Sequence, residues 1–181
     1  QLELDRPMAD YWPEFAANGK ERVTVKHLLT HTGGLPEGIK LAGNDGGQEV
    51  LQKAFNVRPK FAPDTKRLYS DIDFIMLGEI VQRASGIGLD RFIAEQITGP
   101  LGMVDTMYLP PDTLLPRIAA SELLPPRGMI RGSVHDPVAW RMGGISGHAG
   151  IFSTASDLVV FGQMMLNRGA YADRRILAPD S

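Results

Sequence analysis

The chain has no cysteine at all, which excludes a disulfide framework, a thiol nucleophile and any Cys-ligated metal. That absence is compatible with cytoplasm and periplasm alike. No apolar run approaches the ~18 residues that a membrane-crossing helix needs, so no membrane span is expected. An excess of one charge is missing too. The 19 Lys and Arg against 21 Asp and Glu leave a formal net charge of -2, with no basic face for nucleic acid. Neither a phosphate-cradling G-x-x-x-x-G-K nor a dinucleotide fingerprint occurs, and no cofactor is expected.

What is present is 181 residues, 43% hydrophobic and 22% charged, enough to bury one ordinary core. There is no initiator Met, and the opening "QLELDRPMADYWPEF" reads like the middle of a domain, so a fragment is the expectation. Helical patterns separated by Gly and Pro dominate, with little period-two alternation. Thr24 can cap a helix through "VKHLLTH" that stops at Gly33-Gly34, and a second helix covers "QEVLQKAFN". After "LYSD", Ile72, Ile75, Met76, Ile80 and Ala84 recur at helical spacing until Gly86. A helix through "DRFIAEQI" ends before Gly99-Pro100, and the Pro-rich passage "LPPDTLLP" to "ELLPPRG" reads as an irregular excursion. The last helix opens with a capping-box pattern, Thr154 and Asp157, and runs through "LVVFGQMMLN" to Gly169. Trp12, Trp140 and the eight methionines are expected in packing roles.

Several local patterns could carry chemistry. His27 and His31 are four residues apart on one helix, but the H-E-x-x-H glutamate is missing, and no metal is expected there. "VHDP" reads as a turn in which Asp136 bonds nearby backbone, with pocket-shaping as the alternative. "GGISGHAGIFSTA" holds glycines that permit close backbone approach. Within it "GISGH" breaks the G-x-S-x-G elbow at His148, which makes Ser146 a poor nucleophile candidate.

Taken together, "LELDRPMADYWPEF", "VTVKHLLTHTGGLP", "YSDIDFIMLGEIVQRASG", "FIAEQITGPLGMVDTMY" and "GGISGHAGIFSTASDLVVFGQMMLNRG" resemble, in order, the serine β-lactamase-like enzymes, the group of class C β-lactamases, DD-peptidases and esterases. The resemblance implies a mainly α chain: the helical lobe of an α+β serine β-lactamase/DD-peptidase (transpeptidase-like) fold, a single partial domain over residues 1–181 with the main antiparallel sheet largely missing. It also implies that His31-Thr32-Gly33 ends a helix and is not the catalytic Lys/His-Thr-Gly strand, which would lie beyond Ser181.

Acyl transfer in this family needs a serine with lysine one helical turn later. None of Ser70, Ser85, Ser121, Ser133, Ser146, Ser153, Ser156 or Ser181 has that lysine, so by resemblance the nucleophile would precede Gln1. The family's Tyr-x-Asn motif stands here as "YSD". Resemblance therefore assigns Tyr69 as general acid/base and puts Asp71 in the place of an Asn. An ionised carboxylate cannot donate the hydrogen bond an amide would, which tilts the expectation toward peptidase or esterase chemistry over β-lactam hydrolysis. The plainer reading is that Ser70 or Asp71 caps the next helix and Tyr69 packs on it. The family's substrate rim falls on Gly147, His148 and Ala149; the plainer reading of His148 is a turn residue bonded to backbone.

The expected whole is thus a serine hydrolase of amides or esters acting through an acyl-enzyme. Its substrate would be a small amide or ester, a peptidoglycan-type peptide or a β-lactam, in a periplasmic or other extracytoplasmic setting, and these 181 residues alone would be inactive. A catalytically silent binding protein or a helical interaction module is the alternative. Loss of the sheet would leave an apolar lobe face open to self-association.

Overall fold

The computed structural model describes residues 2–43 and 45–180. Gln1, Asn44 and Ser181 lie outside the described residues, Ser181 among the serines tested for a lysine partner. Thr24 caps α1 (Val25–Thr30) in a reciprocal box: its hydroxyl accepts from the His27 N–H, and its own N–H donates to His27 Nδ1. The helix ends before the glycines expected to stop it, because His31 itself takes the left-handed conformation at φ 60°. For a non-glycine residue this costs on the order of 1 kcal/mol. The His31 carbonyl is tied to the Leu68 N–H at 2.8 Å, which holds the turn in place.

Helix α2 (Gly47–Phe55) and helix α3 (Asp71–Ser85) complete the first half, and α3 stops at left-handed Gly86. One large core joins them: Met8, Trp12, Phe15, Leu28, Val50, Ile72, Ile75, Met76 and Ile80 are all buried in one cluster. Trp12 stacks on Phe55 with ring centroids 4.7 Å apart. Lys20 is buried in the same region, donating to the carbonyls of Ala17, Phe55 and Val57. Three carbonyl acceptors satisfy its three N–H donors.

Helix α4 (Leu89–Ile93) continues as one π-helical stretch, Ala94–Thr98, before Pro100. Strand β1 (Met107–Tyr108) then pairs antiparallel with β4 (Ile151–Phe152). The Pro-rich passage between them is more ordered than its composition suggests. It contains a 3-10 helix, Asp112–Arg117, and a hairpin of β2 (Leu123–Leu124) with β3 (Gly128–Met129). The hairpin is extended by 2.8 Å bonds between Ser121 and Ile130 and between Ile130 and Glu122, so prolines outside the paired positions do not prevent a ladder.

Helices α5 (Pro137–Arg141) and α6 (Ala155–Leu166) follow, then the β5–β6 hairpin (Ala170–Tyr171, Arg174–Arg175). Among the described residues every strand pair is two-stranded. Trp140 departs from its expected packing role. The five-residue α5 buries Val138 and Ala139, so Trp140 faces outward, 46% exposed, with the Arg127 guanidinium 4.5 Å from its ring. Met129 and Met165 are exposed as well, whereas Met8, Met76, Met103 and Met164 are buried.

Candidate active site

The N-terminus of α3 gathers the "YSD" residues. Ser70 is the cap: its hydroxyl accepts from the Asp73 N–H at 3.3 Å and donates to the Pro36 carbonyl at 2.5 Å. Asp71 begins the helix, its N–H donating to the Glu37 carbonyl at 2.9 Å. Capping thus falls to Ser70, and the Asp71 carboxylate is left for other work. Tyr69, just outside the helix, is 63% exposed, and its ring lies 4.7 Å from that of His31. The phenol is not packed away.

His31 is more than a helix end. Its Nδ1 accepts from the Ser70 N–H at 3.3 Å and lies 2.9 Å from Asp73 Oδ2. The Ser70 N–H faces the lone pair of Nδ1, an arrangement that favours a proton on the Asp73 carboxyl over one on the ring nitrogen. Burial pushes Asp73 up to about 8 and pushes His31 down. Both shifts favour a neutral pair, and among the described residues the other Asp73 oxygen, Oδ1, has no hydrogen-bond partner. His27 cannot join His31 around a metal, because its ring nitrogens face the Thr24 N–H and Asp64.

The glycine-rich loop reaches this helix through backbone contact. A Cβ on Gly78 would sit 2.9 Å from Gly147 N and 3.0 Å from its Cα. Only glycine at both positions lets the loop seat on α3 this closely. Gly147 is thus a structural contact, and its neighbour His148 projects into the site. His148 Nδ1 lies 2.7 Å from Ser146 Oγ, and Nε2 lies 2.9 Å from Asp136 Oδ1. Asp136 also caps α5, accepting from the Ala139 N–H at 2.7 Å. Burial pushes its carboxyl up, but the hydrogen bonds from His148 and the Ala139 N–H outweigh this and hold it below the usual carboxylate range. "VHDP" is therefore a backbone-bonded turn, and its aspartate reaches the site through the bond to His148.

A cavity of about 180 Å³ is lined by His31, Tyr69, Ser70, Asp71, Phe74 and His148. His148 also borders a second cavity of about 260 Å³, with Tyr108, Ser146, Gly147 and Ala149. Tyr108 pins that loop by donating to the Ser146 carbonyl at 2.8 Å, and burial pushes its phenol up to about 12. A larger cleft of about 490 Å³ lies between the Pro-rich excursion and β4 and shares Gly150 and Ile151 with the second cavity. Size favours that cleft, but the convergent titratable groups line the smaller cavity.

Four of the residues singled out from sequence (Tyr69, Asp71, His148 and, through Ser70, the helix cap) meet at one place, while Ala149 lines only the second cavity. Two others, His31 and Asp73, were not singled out for this site, and Asp136 was read first as a turn residue, with pocket-shaping only as the alternative. Asp73 and His31 are 42 residues apart in sequence, and Asp136 and His148 are 12 apart, so no local motif links either pair. Chemically the pocket offers an accessible phenol, a carboxylate at a helix start, and an imidazole oriented by a second carboxylate. These are groups suited to moving protons and binding cations.

Comparison with known proteins gives a consistent picture. A family model described as Beta-lactamase matches residues 1–181. A protein of Escherichia coli strain K12, provisionally named a D-alanyl-D-alanine carboxypeptidase, is 36% identical over 209 residues, covering 96% of this chain and 46% of the relative. A Salmonella agona protein with the same provisional name is 31% identical, covering 97% and 48%. A penicillin-binding protein homologue from Caulobacter crescentus superposes with a TM-score of 0.76 at 26% identity, covering 99% of this chain and 53% of that one. A Pseudomonas syringae β-lactamase/D-alanine carboxypeptidase shares the fold at 21% identity, with a TM-score of 0.71 over 94% of this chain and 46% of its own. The chain spans about half the length of the curated relatives it matches.

Proposed function

Because the chain belongs to the Beta-lactamase family, we propose that it is the mostly helical part of a serine hydrolase that cleaves amide or ester bonds through an acyl-enzyme. The nucleophilic serine with its lysine, and the Lys/His-Thr-Gly strand with the main sheet, belong to sequence outside these 181 residues. Tyr69 is the proton carrier between nucleophile and leaving group. Supporting this is one observation: the exposed Tyr69 phenol opens onto the same cavity as Asp71, His148 and His31. A phenol with an ordinary pKa of about 10 needs cations beside it to give up its proton near neutral pH, and the lysines outside these residues supply them.

Asp71, where an Asn would stand, pairs with such a lysine and repels an anionic β-lactam carboxylate. The substrate class is a carboxylic ester, which escapes that repulsion when it bears no carboxylate, or a peptide amide of the peptidoglycan type, whose free C-terminal carboxylate meets it as a β-lactam's does. The provisional naming of the relatives favours the peptide. By itself the chain is inactive, and the free-standing helical module is disfavoured by the exposed apolar residues of α6.

The test uses the longer protein that contains these residues. Short acyl esters, a D-Ala-D-Ala peptide and a penicillin are compared, with and without Tyr69→Phe. Turnover of the ester or the peptide well above that of penicillin is expected, and the variant should lose about 100-fold or more in kcat, in keeping with general acid–base catalysis. An unchanged kcat in the variant, or stoichiometric acylation of the 181-residue chain alone, overturns the reading.

A further inference from the structure

Asp71, Asp136 and His148 come from three separate segments: the first turn of α3, the cap of α5 and the glycine-rich loop. Each offers a ligand atom, and these atoms lie within 4.8 Å of one another. We propose that these three side chains form a binding site for a divalent first-row transition metal ion, with Zn2+ as the natural probe. The proposal goes beyond the hydrolase reading, and the ion would compete with the lysine of that reading for the Asp71 carboxylate.

The donor set fits such an ion. One imidazole and two carboxylates suit a borderline cation better than the hard ions Ca2+ or Mg2+. Zn–N and Zn–O bonds of about 2.0–2.2 Å place two donors of a tetrahedral ion roughly 3.3 Å apart. His148 Nε2 and Asp136 Oδ1 already stand 2.9 Å apart, so an ion would replace the proton between them with little movement. Asp71 has to close a wider gap, and its place at the cavity leaves room to do so.

The supporting contacts are of the kind that metal sites use. The His148 side chain is 5% exposed, and Ser146 Oγ holds its Nδ1, so Nε2 is the nitrogen presented to the carboxylates. Asp136 is fixed by the Ala139 N–H. Among the described residues no lysine or arginine forms an ion pair with Asp71 or Asp136, whereas Asp45, Asp105 and Glu37 each have one. Three protein ligands leave a coordination position open to water or to a substrate oxygen, which is the pattern of reactive zinc sites rather than closed structural ones.

The test is titration of the metal-stripped 181-residue chain with Zn2+ by calorimetry, and with Co2+ by visible absorption. One ion per chain is expected, with a Co2+ spectrum of low coordination number. Asp136→Asn keeps a good helix cap and Asp71→Asn keeps the shape of the side chain, so both should fold with an unaltered circular dichroism spectrum. Each should weaken binding by about tenfold or more, and His148→Gln should abolish it. His135→Gln, at the separate exposed His135–Glu122 pair, should change nothing. Absence of a 1:1 complex overturns the site, as does binding that survives Asp136→Asn and His148→Gln or disappears with His135→Gln. Failure here leaves the Tyr69 kinetics untouched, so the two readings fall separately.

Discussion

Helices α3 and α6 begin alike and end in different surroundings. Both have a hydroxyl cap followed three residues later by a buried aspartate, Ser70 with Asp73 and Thr154 with Asp157, and in both the cap accepts from the aspartate N–H. In neither does the carboxylate return to the cap as a capping box would have it. Asp157 instead accepts from the Asp105 N–H at 2.9 Å and the Thr106 hydroxyl at 2.8 Å, fastening α6 to the start of β1. Among the described residues the Asp73 carboxyl meets one partner, His31, and keeps one oxygen unsatisfied. The bodies of the helices diverge further: α3 buries Ile72, Ile75, Met76 and Ile80, whereas Leu158, Val159, Met165 and Leu166 of α6 are 50% to 80% exposed. An apolar helical pattern says that a face wants a partner, and it does not say that the partner lies within the same stretch of chain.

The largest effect separating the two helices is expected from deleting side-chain volume. Ile75 is 1% exposed within the main core, so Ile75→Ala should cost about 3 to 4 kcal/mol in urea unfolding, loss of transfer energy and a cavity together. Leu166→Ala should stay within about 0.5 kcal/mol. Comparable losses at both sites would mean that the α6 face is covered in solution.

A comparable effect sharpens the contrast between the buried aspartates. The Asp73 carboxyl rises from 3.8 unfolded to about 8 folded, so the folded state holds a proton that the unfolded state releases. Stability from this group is then full below pH ~4 and lost as pH climbs toward ~8, because the unfolded chain binds fewer protons across that window. Asp73→Asn carries no proton to lose. Between pH 5 and pH 8 the stability of the variant relative to the parent should improve by roughly 3 to 4 kcal/mol. A flat difference across that range would mean that Asp73 is ionised and the His31 pair is charged.

How much of this was legible beforehand follows the range of each interaction. Helix α3 could be read to within a residue, after "LYSD" where it in fact begins at Asp71, since Ser70, the Ile72–Ile80 spacing and Gly86 are all local signals. Tyr69, Asp71 and His148 could be nominated from motifs, but their meeting depends on Gly78 and Gly147 touching across 69 residues of chain, which no periodicity encodes. His31 was set aside as a helix end because its sequence neighbourhood says only that. Its carboxyl partner comes from the next helix but one. Lys20, within the polar string "NGKER", is buried, because two of the three carbonyls that receive it, those of Phe55 and Val57 at and just beyond the end of α2, are 35 and 37 residues away in sequence.

The smallest stability effect within this chain tests what covers α6. Leu158, Val159, Met165 and Leu166 fall at i, i+1, i+7 and i+8, one stripe along the helix. Charging that stripe with Val159→Lys and Leu166→Lys should move the unfolding free energy of the 181-residue chain by no more than about 0.5 kcal/mol. It should also lower any self-association seen by sedimentation velocity, since a contiguous apolar surface is what would drive it. The same pair of substitutions in the longer protein is the discriminating experiment. If the main sheet of the proposed hydrolase packs on α6, two buried charges would cost several kcal/mol there, and α6 would become the energetic equal of α3. An equally small cost in both proteins would mean that the stripe faces solvent in each, and the difference between the two helices would then be a permanent property of the domain instead of a consequence of where its partner is encoded.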